Sequence, residues 1–194
     1  MWQKKDYVLQ NTRNFIQVNN FYSGSYILDV KIICLNPFLT VMKELLDLGA
    51  RKIGVVGIPP IGCVPIVRTL NPNATLRGGC VESYTKVALE YNQKLQQQLQ
   101  TITKENSGSQ VVYFDIYGAL DDIIHNYKDK GFAEQSRGCC GTGLLEATFL
   151  CNRHSYVCPD RSKFVFWDAI HPTEKTYNLI FLAFRNAIDR LLEI

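Results

Sequence analysis

The sequence predicts an α/β fold, a parallel sheet with helices on both sides, and three observations predict it. Short apolar runs at Lys52-Ile53-Gly54-Val55-Val56-Gly57, Val111-Val112-Tyr113-Phe114-Asp115 and Phe164-Val165-Phe166-Trp167 read as strands. Longer stretches with apolar residues at helical spacing alternate with them. No repeat or linker interrupts the 194 residues, so residues 1–194 read as one domain. Apolar residues make up 46% and charged residues 20%, which is enough to bury a core.

Taken in order, Tyr7-Val8-Leu9 has the character of a short strand. Asn36 and Pro37 read as the N-cap and first turn of a helix, since proline there forfeits no needed donor. Phe38, Val41, Met42, Leu45 and Leu48 then form its apolar stripe, and Gly49 stops it. The run Lys52–Gly57 carries charge only at its start and reads as a strand buried on both faces. A loop with Pro59, Pro60, Gly62, Pro65 and Pro72 follows. Val81, Tyr84, Val87, Ala88, Tyr91, Leu95, Leu99 and Ile102 mark one long amphipathic helix, with Gln96, Gln97 and Gln98 on its solvated side. Beyond the turn at Ser107-Gly108-Ser109 comes the second strand, then a helix through Leu120, Ile123, Ile124 and Tyr127 that ends near Gly131. Residues 132–163 show little periodicity. After the third strand, Asp168–Pro172 turns into a last helix with Tyr177, Phe181, Phe184, Ile188 and Leu191 on one face. In such folds, sites form at the carboxyl ends of the strands, here the loops after Gly57, Asp115 and Trp167.

Composition excludes several functions. A net charge of +3, from 21 basic and 18 acidic residues, is too mild for a nucleic-acid partner. The long uncharged stretch Ile53–Val67 is broken by Pro59, Pro60 and Pro65, and no run of apolar residues is long enough, so no membrane-spanning segment is expected. The glycine-bearing stretch 54–62 lacks the spacing of a phosphate cradle, and its prolines remove amide donors. No Gly-x-Ser-x-Gly run marks a serine nucleophile.

Seven cysteines stand at 34, 63, 80, 139, 140, 151 and 158. Clustering of this kind indicates disulfides in an oxidising compartment or a metal site. Cys63 with Cys80, and two bridges among Cys139, Cys140, Cys151 and Cys158, would use six and leave Cys34 as a buried thiol. A Cys/His zinc set including His154, and a nucleophilic Cys139 or Cys140 paired with His154, are the alternatives. Asn73-Ala74-Thr75 is an N-glycosylation acceptor, while no signal peptide is legible at Met1–Asp6.

Of the three histidines, His171 follows Asp168 by three residues on a strand-to-helix turn. That carboxylate can accept from Nδ1 and orient the ring as a general base. Pro172 disfavours αR at His171, so the ring can project from the turn. Asp122 and His125 share the spacing but sit within a helix and read as a solvated pair. A base and its orienter are therefore present, with nothing evident for them to activate.

Several stretches together resemble the plant GDSL esterase/lipase family of the SGNH hydrolases. They are Leu48-Gly49-Ala50-Arg51-Lys52 with Ile58-Pro59-Pro60-Ile61-Gly62-Cys63-Val64-Pro65, then Tyr91-Asn92-Gln93-Lys94-Leu95. Cys139-Cys140-Gly141-Thr142-Gly143 and Phe166-Trp167-Asp168-Ala169-Ile170-His171-Pro172-Thr173-Glu174 complete the set. The resemblance covers residues 36–194, with 1–35 matching poorly. It implies a flavodoxin-like three-layer sandwich lacking its N-terminal strands, and hydrolysis of small acyl esters or lipids through a serine acyl-enzyme. It also implies Asp168 and His171 as the triad's acid and base, a secreted setting, and no cofactor or metal.

The departures are as informative. The family's Gly-Asp-Ser block, with its nucleophile and an oxyanion donor, has no counterpart in the sequence, nor has its middle glycine block. Tyr7–Phe15 reads as a remnant of the Gly-x-Asn-Asp block, with Arg13 where the asparagine belongs, so no oxyanion residue is assigned. The expectation is a truncated or relic hydrolase, inactive alone. A disulfide-stabilised binding module and a zinc module stand as alternatives.

Overall fold

A computed structural model describes residues 24–72 and 79–192, with side chains described for 35–72 and 79–192. The strand expected at Tyr7–Leu9, the Tyr7–Phe15 remnant, the Cys34 side chain and the Asn73 acceptor lie outside the described residues.

The elements are helix α1 (Gly24–Asp47), strand β1 (Lys52–Val56), helix α2 (Pro65–Leu70), helix α3 (Glu82–Glu105) and strand β2 (Gln110–Phe114). Helix α4 (Ile116–His125), strands β3 (Glu134–Gly138) and β4 (Phe164–Phe166) and helix α5 (Glu174–Leu192) complete them. Strands β1 and β2 pair in parallel, with Ile53 opposite Val111 and Val55 opposite Tyr113. Alternation along the strands then divides the side chains between two helical layers. Ile53, Val55, Val111 and Tyr113 join a core with Leu35, Met42 and Leu46 of α1 and Leu95, Leu99 and Ile102 of α3. On the other face Phe114 packs on Phe184 of α5, ring centroids 5.2 Å apart. A second core gathers Leu120, Ile123 and Ile124 of α4, Val165 and Phe166 of β4, and Ile180 of α5.

The structure corrects the sequence reading in several places. Helix α1 does not open at Asn36: it begins at Gly24 and runs through Pro37. Proline in a helix interior forgoes one hydrogen bond, typically about 3 kcal/mol. Leu35 before it and Met42 and Leu46 after it are all buried, which holds one register across the ring. The buried stripe is accordingly rotated from the expected one, and Val41, Leu45 and Leu48 are exposed. Gly49 does end the helix, at φ 100°, where a side chain would be strained.

Strand β1 is not buried on both faces: Val55 is buried but Val56 is 52% exposed. The third strand does not extend the β1–β2 pair. It pairs in parallel with β3, whose sequence Glu-Gln-Ser-Arg-Gly carries no apolar signal. The proline-rich loop holds a short helix, α2, with Pro65 at its first position. On α5 the buried side is Thr176 and Ile180 with Phe184 beside them, while Tyr177 and Phe181 are half exposed.

Candidate active site

The site is built on the turn between β4 and α5. Ahead of it, the Cys139 N–H donates to the Phe166 carbonyl at 3.0 Å and the Cys140 N–H to the Trp167 carbonyl at 2.8 Å. The Trp167 N–H in turn donates to the His171 carbonyl at 2.7 Å, closing the turn on itself. Beyond it, Thr173 immediately precedes α5 and Thr176 lies in its first turn, and the Thr176 hydroxyl donates to the Val165 carbonyl at 2.7 Å. The turn is thus tied to the strand before it and the helix after it.

Asp168, 2% exposed, fills the turn with its carboxylate. Its Oδ1 accepts from the Ile170 N–H at 2.8 Å and the His171 N–H at 2.7 Å. Its Oδ2 accepts from His171 Nδ1 at 2.8 Å and from the Thr148 N–H at 3.1 Å. Burial pushes this carboxyl up, but the donors from His171, Ile170 and Thr148 outweigh it and hold the group below its ordinary 3.8. An ionised carboxylate only accepts, so Nδ1 of His171 is the donor here, and the neutral tautomer this contact selects has its lone pair on Nε2. The His171 side chain is 47% exposed. A buried anion thus orients an imidazole whose basic nitrogen can meet a substrate.

Three further neighbours surround the site. Gly138 ends β3 against the turn, and a Cβ there would lie 2.6 Å from the Asp168 carbonyl. Glu146 organises the preceding loop: its carboxylate accepts from the Thr142 N–H at 3.0 Å and the Thr142 hydroxyl at 2.7 Å. The Thr142 N–H, then its hydroxyl, hold the Glu146 carboxyl down to about 2. The Glu146 carbonyl accepts from the Ala169 N–H at 2.8 Å, which joins that loop to the turn. Tyr177 lies one turn into α5, its phenol pushed up by burial and then by Asp168. Gly138 acts through close approach and Glu146 partly through its backbone carbonyl, neither of which leaves a mark in a sequence pattern.

The other sequence-marked groups fall elsewhere. Disulfides join Cys63 to Cys80, Cys139 to Cys158 and Cys140 to Cys151, the last two nested. Those sulfurs are therefore not thiolates, which overturns both the zinc set and a nucleophilic Cys139 or Cys140. His154 is exposed and accepts from Arg153 Nε at 3.1 Å. His125 is on the helix surface as expected, but its partner is Asp121, 3.4 Å away, because Asp122 is held by Lys130 at 2.8 Å. Asp115 caps α4 by accepting from the Gly118 N–H at 3.0 Å. From the first turn of α2, the Ile66 N–H reaches the Ala169 carbonyl at 3.0 Å.

Comparison with known proteins places the chain in a family. A family model described as GDSL-like Lipase/Acylhydrolase matches residues 35–184. An Arabidopsis thaliana protein described as a GDSL esterase/lipase is 46% identical over 147 residues, 74% of this chain and 39% of its own length. Two others of that description and organism are 45% and 40% identical over 151 residues, 78% of this chain and 41% and 42% of their own lengths. The chain thus spans about two fifths of the length of the curated relatives it matches. The match to the family model and these identities establish one conclusion: the chain belongs to the GDSL-like lipase/acylhydrolase family.

Proposed function

We propose that this chain carries the general base and its orienter of a carboxylic ester hydrolase, His171 and Asp168, and that the nucleophilic serine is not among its 194 residues. The observation that carries the reading is the 2.8 Å contact between His171 Nδ1 and a buried Asp168 anion, with the ring half exposed. In the reaction, Nε2 of His171 takes the proton of a serine hydroxyl as that oxygen bonds to the acyl carbon. The same proton passes to the departing alkoxide, releasing the alcohol and leaving an acyl-serine. Water then adds with His171 again as base, and the serine oxygen leaves with the proton. Asp168 holds the tautomer and stabilises the imidazolium in each step.

Without the hydroxyl, these two groups have no nucleophile to activate, so the isolated chain is expected to be silent. The substrate class is a small acyl ester or a lipid. Three disulfides favour an oxidising, secreted setting, and Asn73 is a candidate glycosylation position there. Among the described residues no helix is long and apolar enough to cross a membrane. A second reading, a disulfide-stabilised binding module, draws on the lack of a Gly-Asp-Ser run in the sequence.

A chimera tests the proposal. The upstream part of one of the Arabidopsis relatives, fused ahead of residue 35 of this chain, should hydrolyse p-nitrophenyl acetate. His171→Ala and Asp168→Ala should each abolish that activity by at least about a thousandfold. A folded chimera whose hydrolysis ignores both substitutions would contradict the assignment and favour the binding module.

A further inference from the structure

We propose that Thr148 is a positioning residue whose backbone N–H, presented by the loop that the Cys140–Cys151 disulfide closes, fixes the carboxylate that orients His171. The proposal rests on the reading of Asp168 and His171 given above. Three contacts bring this loop onto three consecutive residues of the turn. The Cys140 N–H holds the Trp167 carbonyl at 2.8 Å, the Thr148 N–H holds Asp168 Oδ2 at 3.1 Å, and the Glu146 carbonyl takes the Ala169 N–H at 2.8 Å. Thr148 therefore lies between two anchors, Glu146 before it and Cys151 after it. Cys151 is bonded to Cys140 and donates its own N–H to the Thr148 carbonyl at 3.1 Å.

The conformation of Thr148 is the independent sign. Its φ of 54° makes it the one positive-φ residue other than glycine among the described residues. A β-branched residue avoids that region, and surrounding structure must impose it. Thr148 is exposed, so burial of its side chain is not what imposes it. What the left-handed turn accomplishes is to aim the N–H at Oδ2, the same oxygen that accepts from His171 Nδ1. Oδ1 is already fixed by two amides of the turn itself. Without Thr148, Oδ2 would be held only by the ring it is meant to hold still.

The test uses the full chain and reads the low-field His171 Nδ1–H proton by NMR, which needs no turnover. Thr148→Pro removes the donor and cannot adopt this φ; it should speed solvent exchange of that proton about tenfold or more. Thr148→Gly keeps the N–H, accepts the left-handed turn and should match the wild type. Cys140→Ser with Cys151→Ser should shift exchange in the direction of the proline variant. A folded proline or serine variant with wild-type exchange would overturn the proposal, as would a glycine variant as impaired as proline. Should the variants not fold, amide exchange in the wild type decides. The Thr148 N–H should be protected about tenfold or more over its intrinsic rate, and an unprotected amide overturns the claim. A silent chimera with these signatures intact defeats the hydrolase reading alone.

Discussion

Asn92 grips Ile58 at both ends of one peptide residue. Its Oδ1 accepts from the Ile58 N–H at 2.7 Å, and its Nδ2 donates to the Ile58 carbonyl at 2.8 Å. Asn92 is 3% exposed, on the face of α3 that meets the loop after β1. An amide mimics the hydrogen bonding of a neighbouring strand there, and no apolar side chain can replace it.

Replacing Asn92 with alanine strands both backbone groups of Ile58. The expected loss is about 2–3 kcal/mol, read as a lower urea midpoint at unchanged slope. Asn92→Asp sets a carboxylate oxygen against the Ile58 carbonyl in a buried place, so it should cost at least as much as alanine. Full stability in the alanine variant would show the clasp to be idle.

Gly138 tests the fit between β3 and the turn. The Cβ of Gly138→Ala would sit 2.6 Å from the Asp168 carbonyl, so backbone must move. Overpacking of this kind costs about 1–3 kcal/mol. The His171 ring resonances should shift with it, because the displaced residue carries their partner. A variant with wild-type thermal midpoint and wild-type His171 shifts would refute the contact.

Acid should loosen the loop around Glu146. A carboxylate whose folded pKa is depressed stabilises the fold above its unfolded value and ceases to do so as pH falls through the folded value. For Glu146 that window runs from its ordinary 4.5 down to about 2, and the depressed Asp168 acts in the same direction. Glu146→Gln has no charge to lose, so its stability should fall less steeply with acid than the wild type across this range. Parallel curves would argue that the Thr142 contacts do not persist in solution.

Thiol counting checks the covalent framework. Six of the seven cysteines are in disulfides, so an unreduced, denatured chain should react at one thiol, Cys34. Removing the Cys63–Cys80 bridge, which spans 17 residues, should cost about 3 kcal/mol in the loop-entropy estimate. Seven reactive thiols would restore the metal alternative.

How much of this was legible in the sequence depends on which physical signal each part uses. The long helix α3, strands β1, β2 and β4, and the Asp168–His171 turn were readable because hydrophobic period and residue chemistry mark them. Strand β3 was not, since Glu134–Gly138 is polar and is held by its ladder to β4 rather than by a buried face. Pro37 misled for the opposite reason: a local breaker was overridden by burial of Leu35, Met42 and Leu46 along one helix. The split of the strands into two pairs is a tertiary fact with no local trace. Thr148, whose contribution is a main-chain N–H, leaves none either.

The central claim, that His171 is a base without its serine in these residues, is tested most directly by assaying the purified 194-residue chain on p-nitrophenyl acetate beside its His171→Ala variant. The account predicts equal, background rates for the two. Turnover by the chain that disappears in the alanine variant would contradict it, and would mean that a hydroxyl or thiol within this sequence already serves as the nucleophile.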